Sequence, residues 1–240
     1  MAKYTAVRIL VPDIKKPFVS GSYNYSTKSV KDANKKMIAT ISKNFGTYIN
    51  KWGGIFEIPN GVVISFIATE SGGRNASPNQ YKATGLMQAT PNAVWECARK
   101  WKNEVSSDLP IEMRNLITSN IPDFFTSKNS VPTAAQQTKL LNLLMDYNFN
   151  IACGCMILRW LIERFSTFIT GGQLNKAMVA YNAGAYTKAL NIGTVANKVP
   201  IDSTSLSVNP KVPSESRGYL LKMLGINGFM QLFYVDKAAG

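Results

Sequence analysis

Glu70 is the residue whose type and setting best suit chemistry. It closes the apolar run 61–69 and is followed by Ser71-Gly72-Gly73. A carboxyl at the end of a buried helix, facing a glycine-opened turn, loses part of its hydration. Its pKa rises and it stays protonated near neutrality, the state a general acid needs. An isolated glutamate is more often a solvated surface residue, so the weight comes from what accompanies it. Three clusters do. Gly85-Leu86-Met87-Gln88 follows a flexible loop, Ala180-Tyr181-Asn182-Ala183-Gly184 ends a helical pattern, and Glu215 and Tyr219 lie four apart on one helical face. Each alone reads equally well as a turn or a helix end.

Composition removes the competing chemistries. The 240 residues contain no histidine, which excludes Ser-His-Asp and Cys-His hydrolysis and any metal site that needs imidazole. Acid–base work must then come from a perturbed carboxylate, Lys, Tyr or Cys, and 14 Asp+Glu keep that list short. Cys97, Cys153 and Cys155 read as buried free thiols, too few for a disulfide framework or a zinc site. No metal and no cofactor is expected. Residues 71–95 contain no Asp or Glu, so a second carboxylate would have to come from elsewhere, such as Glu96 or Asp146.

The elements that must position these residues are mainly α-helical. Val30, Ala33, Met37, Ile38, Ile41, Phe45, Tyr48 and Ile49 recur at helical spacing, predicting a helix over 29–52 ended by Gly53-Gly54. Pro59-Asn60 introduces a short helix over 61–70 that is apolar nearly all round and hence buried. Residues 71–85 are loop, and Thr90-Pro91 caps a helix running toward Trp101. Residues 103–137 are weakly patterned and read as an insertion of short helices and loops. One long central helix is expected over 138–166, then a helix from Leu174 to Tyr181 after Gly171-Gly172. An irregular loop over 191–213 leads to a last helix over 214–224. The apolar run 225–235 is either a docked tail or a partner-binding segment. These readings divide the chain into an arm at 1–30, a domain at 31–225 and a tail at 226–240.

Taken together and in order, ATESGG (68–73), GLMQATP (85–91), NIACG (150–154), VAYNAG (179–184) and PSESRGYL (213–220) resemble the catalytic domain of soluble lytic transglycosylases. These belong to the lysozyme-like superfamily, which also holds the goose-type lysozymes. The resemblance spans roughly residues 55–225. It implies a lysozyme-like helical domain that cleaves peptidoglycan glycan strands between MurNAc and GlcNAc. It implies Glu70 as the catalytic acid and later base. Met87 and Gln88 would line the sugar site, Tyr181 and Asn182 would hold the substrate across the cleft, and Tyr219 would hydrogen-bond near the reacting centre. Ser71 would contact the substrate or position Glu70. Glu215 and Asn150 would be supporting residues. The chain departs from the family at Ile157, where an aromatic is usual, and in the long gap from Gln88 to Asn150. A hydrolytic muramidase and a structural wall-binding component are the alternatives.

Charge adds an expectation about delivery. The formal net charge is +13, and residues 1–60 carry ten Lys/Arg against three acids. Such an excess suits an anionic polymer or a docking site, and no nucleic-acid-binding motif accompanies it. The opening MAKYTAVRILVPDIKKPF lacks the apolar core of a secretory signal. The stretch from Leu140 to Leu161 is interrupted by Asp146, Asn148, Asn150 and Arg159, so no transmembrane segment is expected. The combined expectation is a phage enzyme made in the host cytoplasm, docked to other virion or secretion-assembly proteins through 1–30 and 226–240.

Overall fold

Helical periodicity dominates the chain, and the computed structural model is correspondingly mainly helical. It describes residues 28–105, 107–165, 173–184, 210 and 212–237. Most of the arm at 1–30, Gly171-Gly172 and nearly all of the loop at 191–213 lie outside the described residues. Among the described residues there is no β-strand, only an isolated antiparallel bridge between Thr84 and Ala89. No single helix among them is long and apolar enough to cross a membrane.

Helix α1 (Lys28–Ile55) buries Ile41, Phe45, Ile49 and Trp52 along one face, the spacing of an amphipathic helix. It does not stop at Gly53-Gly54 as expected. Both glycines sit inside its last turn, and Glu57 takes the left-handed backbone instead, at φ 54°. Ile58 N donates to Gly53 O at 2.7 Å and Glu57 N to Gly54 O at 3.2 Å, the paired bonds of a Schellman ending. Gly53 is needed for close approach, because a Cβ there would lie 2.9 Å from Ile58 O.

Helix α2 (Asn60–Glu70) is buried from Gly61 through Ala68, as its uniform apolarity requires. The buried hydroxyl of Ser65 returns a hydrogen bond to Gly61 O at 2.6 Å. Helix α3 (Pro91–Glu104) starts as its sequence specifies: Thr90 Oγ1 accepts from Ala93 N at 3.1 Å and Pro91 fills the first turn. Helix α4 (Ile111–Asn120) and several turns occupy much of 103–137.

The long helix expected over 138–166 is two helices. Helix α5 (Ala134–Leu143) and helix α6 (Tyr147–Phe165) meet at 109°. The break has a local cause. Asp146 Oδ1 caps α6 by accepting from Phe149 N at 2.8 Å, while Leu144 O turns to Asn150 Nδ2 at 2.8 Å. Apolar content continued across the join, and periodicity could not reveal a cap hidden within it. α6 is the central helix, buried on all sides from Phe149 to Ile162 and packed against α1, α3 and helix α7 (Gln173–Ala183). Cys97, Cys153 and Cys155 are free and buried, as read from the sequence.

Helix α8 (Ser214–Leu224) follows the expected bounds and packs on α7 and α2. The apolar run after it is the docked alternative: helix α9 (Phe229–Lys237) packs on α1, α2 and α8. Phe229, Met230 and Leu232 are buried, so those side chains are not available to a partner. Gly61 of α2 makes room for this packing, since a Cβ there would lie 2.3 Å from the Phe233 ring.

Candidate active site

Glu70 ends α2 because the chain cannot continue as a helix beyond it. Gly72 and Gly73 take left-handed backbone at φ 64° and 77°, and a Cβ on Gly73 would meet Ile41 Cγ1 of α1 at 2.8 Å. Ser71 Oγ donates to Ile67 O at 3.1 Å and accepts from Gly73 N at 3.2 Å. Of the two roles expected for Ser71, positioning is the one its bonds support.

The Glu70 carboxyl is half-buried and meets α8 directly. Tyr219 Oη donates to Glu70 Oε1 at 2.7 Å. Burial pushes the carboxyl up to about 7, with the field of Glu215 adding to the rise; the Tyr219 hydrogen bond and the Lys222 charge pull it partly back. Tyr219 itself is pushed well above its ordinary value by burial and by the neighbouring carboxyl, so it remains a phenol that donates. Glu215, exposed in the first turn of α8, acts on the site through its charge.

Phe66, one turn before Glu70, is the hub beneath the site. Its ring centroid lies 5.0 Å from that of Tyr181 and 6.1 Å from that of Tyr219, edge-on to both. Burial, and after it the Glu70 charge, raises the Tyr181 phenol. Tyr181 Oη donates to Met87 O at 2.8 Å, tying α7 to the turn that carries Gln88. Asn182 Oδ1 accepts from Ser216 Oγ at 2.6 Å, which joins α7 to α8.

That turn is held by α6. Thr84 N donates to Ala89 O at 3.0 Å and closes residues 84–89 into a loop. Asn150, fully buried, clasps it twice and ties it to the α5–α6 join: Oδ1 accepts from Met87 N at 2.8 Å, and Nδ2 donates to Thr84 O and to Leu144 O, each at 2.8 Å. Gly85 at φ 77° admits the clasp, since a Cβ there would lie 2.2 Å from Asn150 Nδ2. One turn along α6, Gly154 leaves room for Met87, whose Sδ would lie 2.3 Å from a Cβ at that position. The Asn-x-x-x-Gly spacing is therefore a lock for the turn.

Met87 does not line a site as expected. Its side chain is fully buried against Gly154 of α6, in a turn that is itself buried from Thr84 through Met87. Gln88 remains half-exposed, with its backbone left-handed at φ 48° and its Nε2 donating to Gly85 O at 2.9 Å.

Two participants escaped sequence reasoning. Phe66 lies within the apolar run 61–69, which does not single it out, and nothing singled out Lys222; its signal was its place three residues after Tyr219 on the same helix. Elsewhere, a cavity of about 260 Å³ lies near the opposite end of α2, lined by Phe56, Glu57, Trp101 and Arg159 among others. The Arg159 guanidinium there is held by Glu163 at 2.6 Å, Glu57 at 3.4 Å and Phe56 O at 3.4 Å.

Neither a scan of the chain against protein-family models nor a search of curated proteins finds a match. The chemical content of the site is one carboxyl kept protonated near neutrality, able to give up its proton and later recover one, beside a phenol that donates to it.

Proposed function

We propose that this chain is a peptidoglycan lytic transglycosylase with a lysozyme-like domain, and that Glu70 performs both proton transfers. The observation that carries the reading is the pairing of a half-buried Glu70, raised to about 7, with Tyr219 Oη at 2.7 Å. Glu70 protonates the glycosidic oxygen between MurNAc and GlcNAc, and the bond to C1 breaks. The 2-acetamido group of MurNAc stabilises the charge that develops at C1. The Glu70 carboxylate then takes the proton of the C6 hydroxyl, whose oxygen closes onto C1 as the 1,6-anhydro product. The acid is restored, and no water enters.

The second carboxylates considered for a hydrolytic route have other employment. Glu96 pairs with Lys100 at 2.7 Å on α3, and Asp146 caps α6. Glu215 alone favours a muramidase reading, because its field reaches Glu70. Muropeptide mass spectrometry separates the two routes. Anhydro products lighter by one water support the transglycosylase, and reducing-end MurNAc refutes it. Glu70→Gln is expected to abolish clearing while the protein stays folded; undiminished clearing would remove Glu70 from the mechanism. Delivery in a phage virion is part of the reading, supported by the ten Lys/Arg among residues 1–60. Its test is detection of the chain in purified particles.

A further inference from the structure

The Glu70 reading gives Lys222 no part. Helix α8 grips the last turn of α2 at two successive residues: Tyr219 reaches Glu70, and Lys222 Nζ donates to Thr69 O at 3.1 Å. Gly73 N would be the helical donor to Thr69 O, but it turns to Ser71 Oγ instead. The ammonium thus supplies the missing donor at the negative end of the α2 dipole. It is half-buried, with the Phe229 ring of α9 centred 6.0 Å away, so it is held from behind as well.

We propose that Lys222 is a positioning residue for Glu70: it ties the last turn of α2 to α8 and is the counter-charge for the carboxylate formed when Glu70 gives up its proton. This rests on the proposed role of Glu70 and adds a residue to it. The groups that act on Glu70 are Tyr219, Glu215 and Lys222 from α8, with Tyr181 of α7 close by; α1 offers Met37 and Ile41 at the turn beyond. Of these, Lys222 brings the positive charge. A lysine that only capped a helix end would alter stability and leave the titration of Glu70 where it was.

Two variants separate these roles. Lys222→Met keeps the aliphatic stem and removes the ammonium, while Lys222→Arg keeps the charge. In the full chain labelled with ¹³C-glutamate, the seven Glu side chains can be titrated by NMR, with Glu70 assigned by the signal lost in Glu70→Gln. The Glu70 midpoint is expected to rise by about half to one pH unit in Lys222→Met and to stay near wild type in Lys222→Arg. The alkaline limb of peptidoglycan clearing should move upward with it. At acidic pH the rate should fall roughly threefold, because a weaker acid transfers its proton more slowly. An unmoved midpoint in folded Lys222→Met overturns the proposal. Should that variant not fold, Lys222→Gln can still donate to Thr69 O without the charge and reads the same shift. If the wild-type chain clears no peptidoglycan at any pH, the functional reading fails, and the Glu70 titration still decides the role of Lys222.

Discussion

Replacing the candidate acid should make the protein more stable, and only above a certain pH. Glu70 titrates at about 7 in the folded chain against an ordinary value of 4.5, because burial disfavours its charged form. The folded state therefore holds a proton between these values that the unfolded chain has released. Stability falls as pH rises through this window and levels off above the folded value. At about 1.4 kcal/mol per pH unit, the full effect is about 3 kcal/mol, a large part of the roughly 5–15 kcal/mol that holds a domain folded. Glu70→Gln has no such proton, and its amide oxygen can still accept from Tyr219 Oη. Urea unfolding followed by tryptophan fluorescence, on both proteins from pH 4 to 9, isolates the term. The wild-type stability minus that of the variant should drop by about 3 kcal/mol between pH 4.5 and 8 and be flat outside that span. A difference that does not vary with pH would refute the claim that Glu70 is held protonated by its surroundings.

Other outcomes follow from the lock around the 84–89 turn and from α9. Asn150→Ala orphans Met87 N, Thr84 O and Leu144 O, and should lower stability by about 3 kcal/mol or more in urea unfolding; a loss under about 1 kcal/mol would mean the clasp is slack. Gly154→Ala drives a Cβ into Met87 and should cost about 1–3 kcal/mol. Combined with Met87→Ala it should cost clearly less than the two changes separately, and strict additivity would break the link. Ending the chain after Gly225 strips α9 from α1 and α2 and should leave little folded protein by circular dichroism. A stable, cooperative melt would show that α9 is dispensable.

Much of the helical layout was legible because the signals were local. Thr90-Pro91 announced α3, and the nearly all-round apolarity of 61–70 announced a buried α2. Glu70, Tyr181 and Tyr219 were picked from separate segments and do gather around Phe66. What stayed illegible depended on a partner distant in sequence. Gly53 looked like a stop because its need for space against Ile58 O appears only once the chain has turned back. The α5–α6 break depends on Asp146 capping and Asn150 reaching backward, which an apolar pattern conceals. Met87 sat beside Gln88 in one motif, yet only Met87 is fully buried, because Gly154 of α6 leaves a space for it that the motif itself does not encode. Lys222 needed the third dimension altogether, since its acceptor lies 153 residues earlier.

The packing of α9 against both α1 and α2 bears on how quickly the molecule can assemble. Asn34 Nδ2 of α1 donates to Asn227 O, just before α9, at 3.0 Å, a contact across 193 positions. Helix α2 is thus enclosed by segments from opposite ends of the described chain. Closing so long a loop adds little to the equilibrium penalty, which grows only logarithmically with length. It weighs on the search instead, because chains rich in distant contacts fold slowly. Glu70 meets Tyr219 of α8 across 149 positions, a closure of the same kind, so the acid's unusual titration should be among the last properties acquired during refolding.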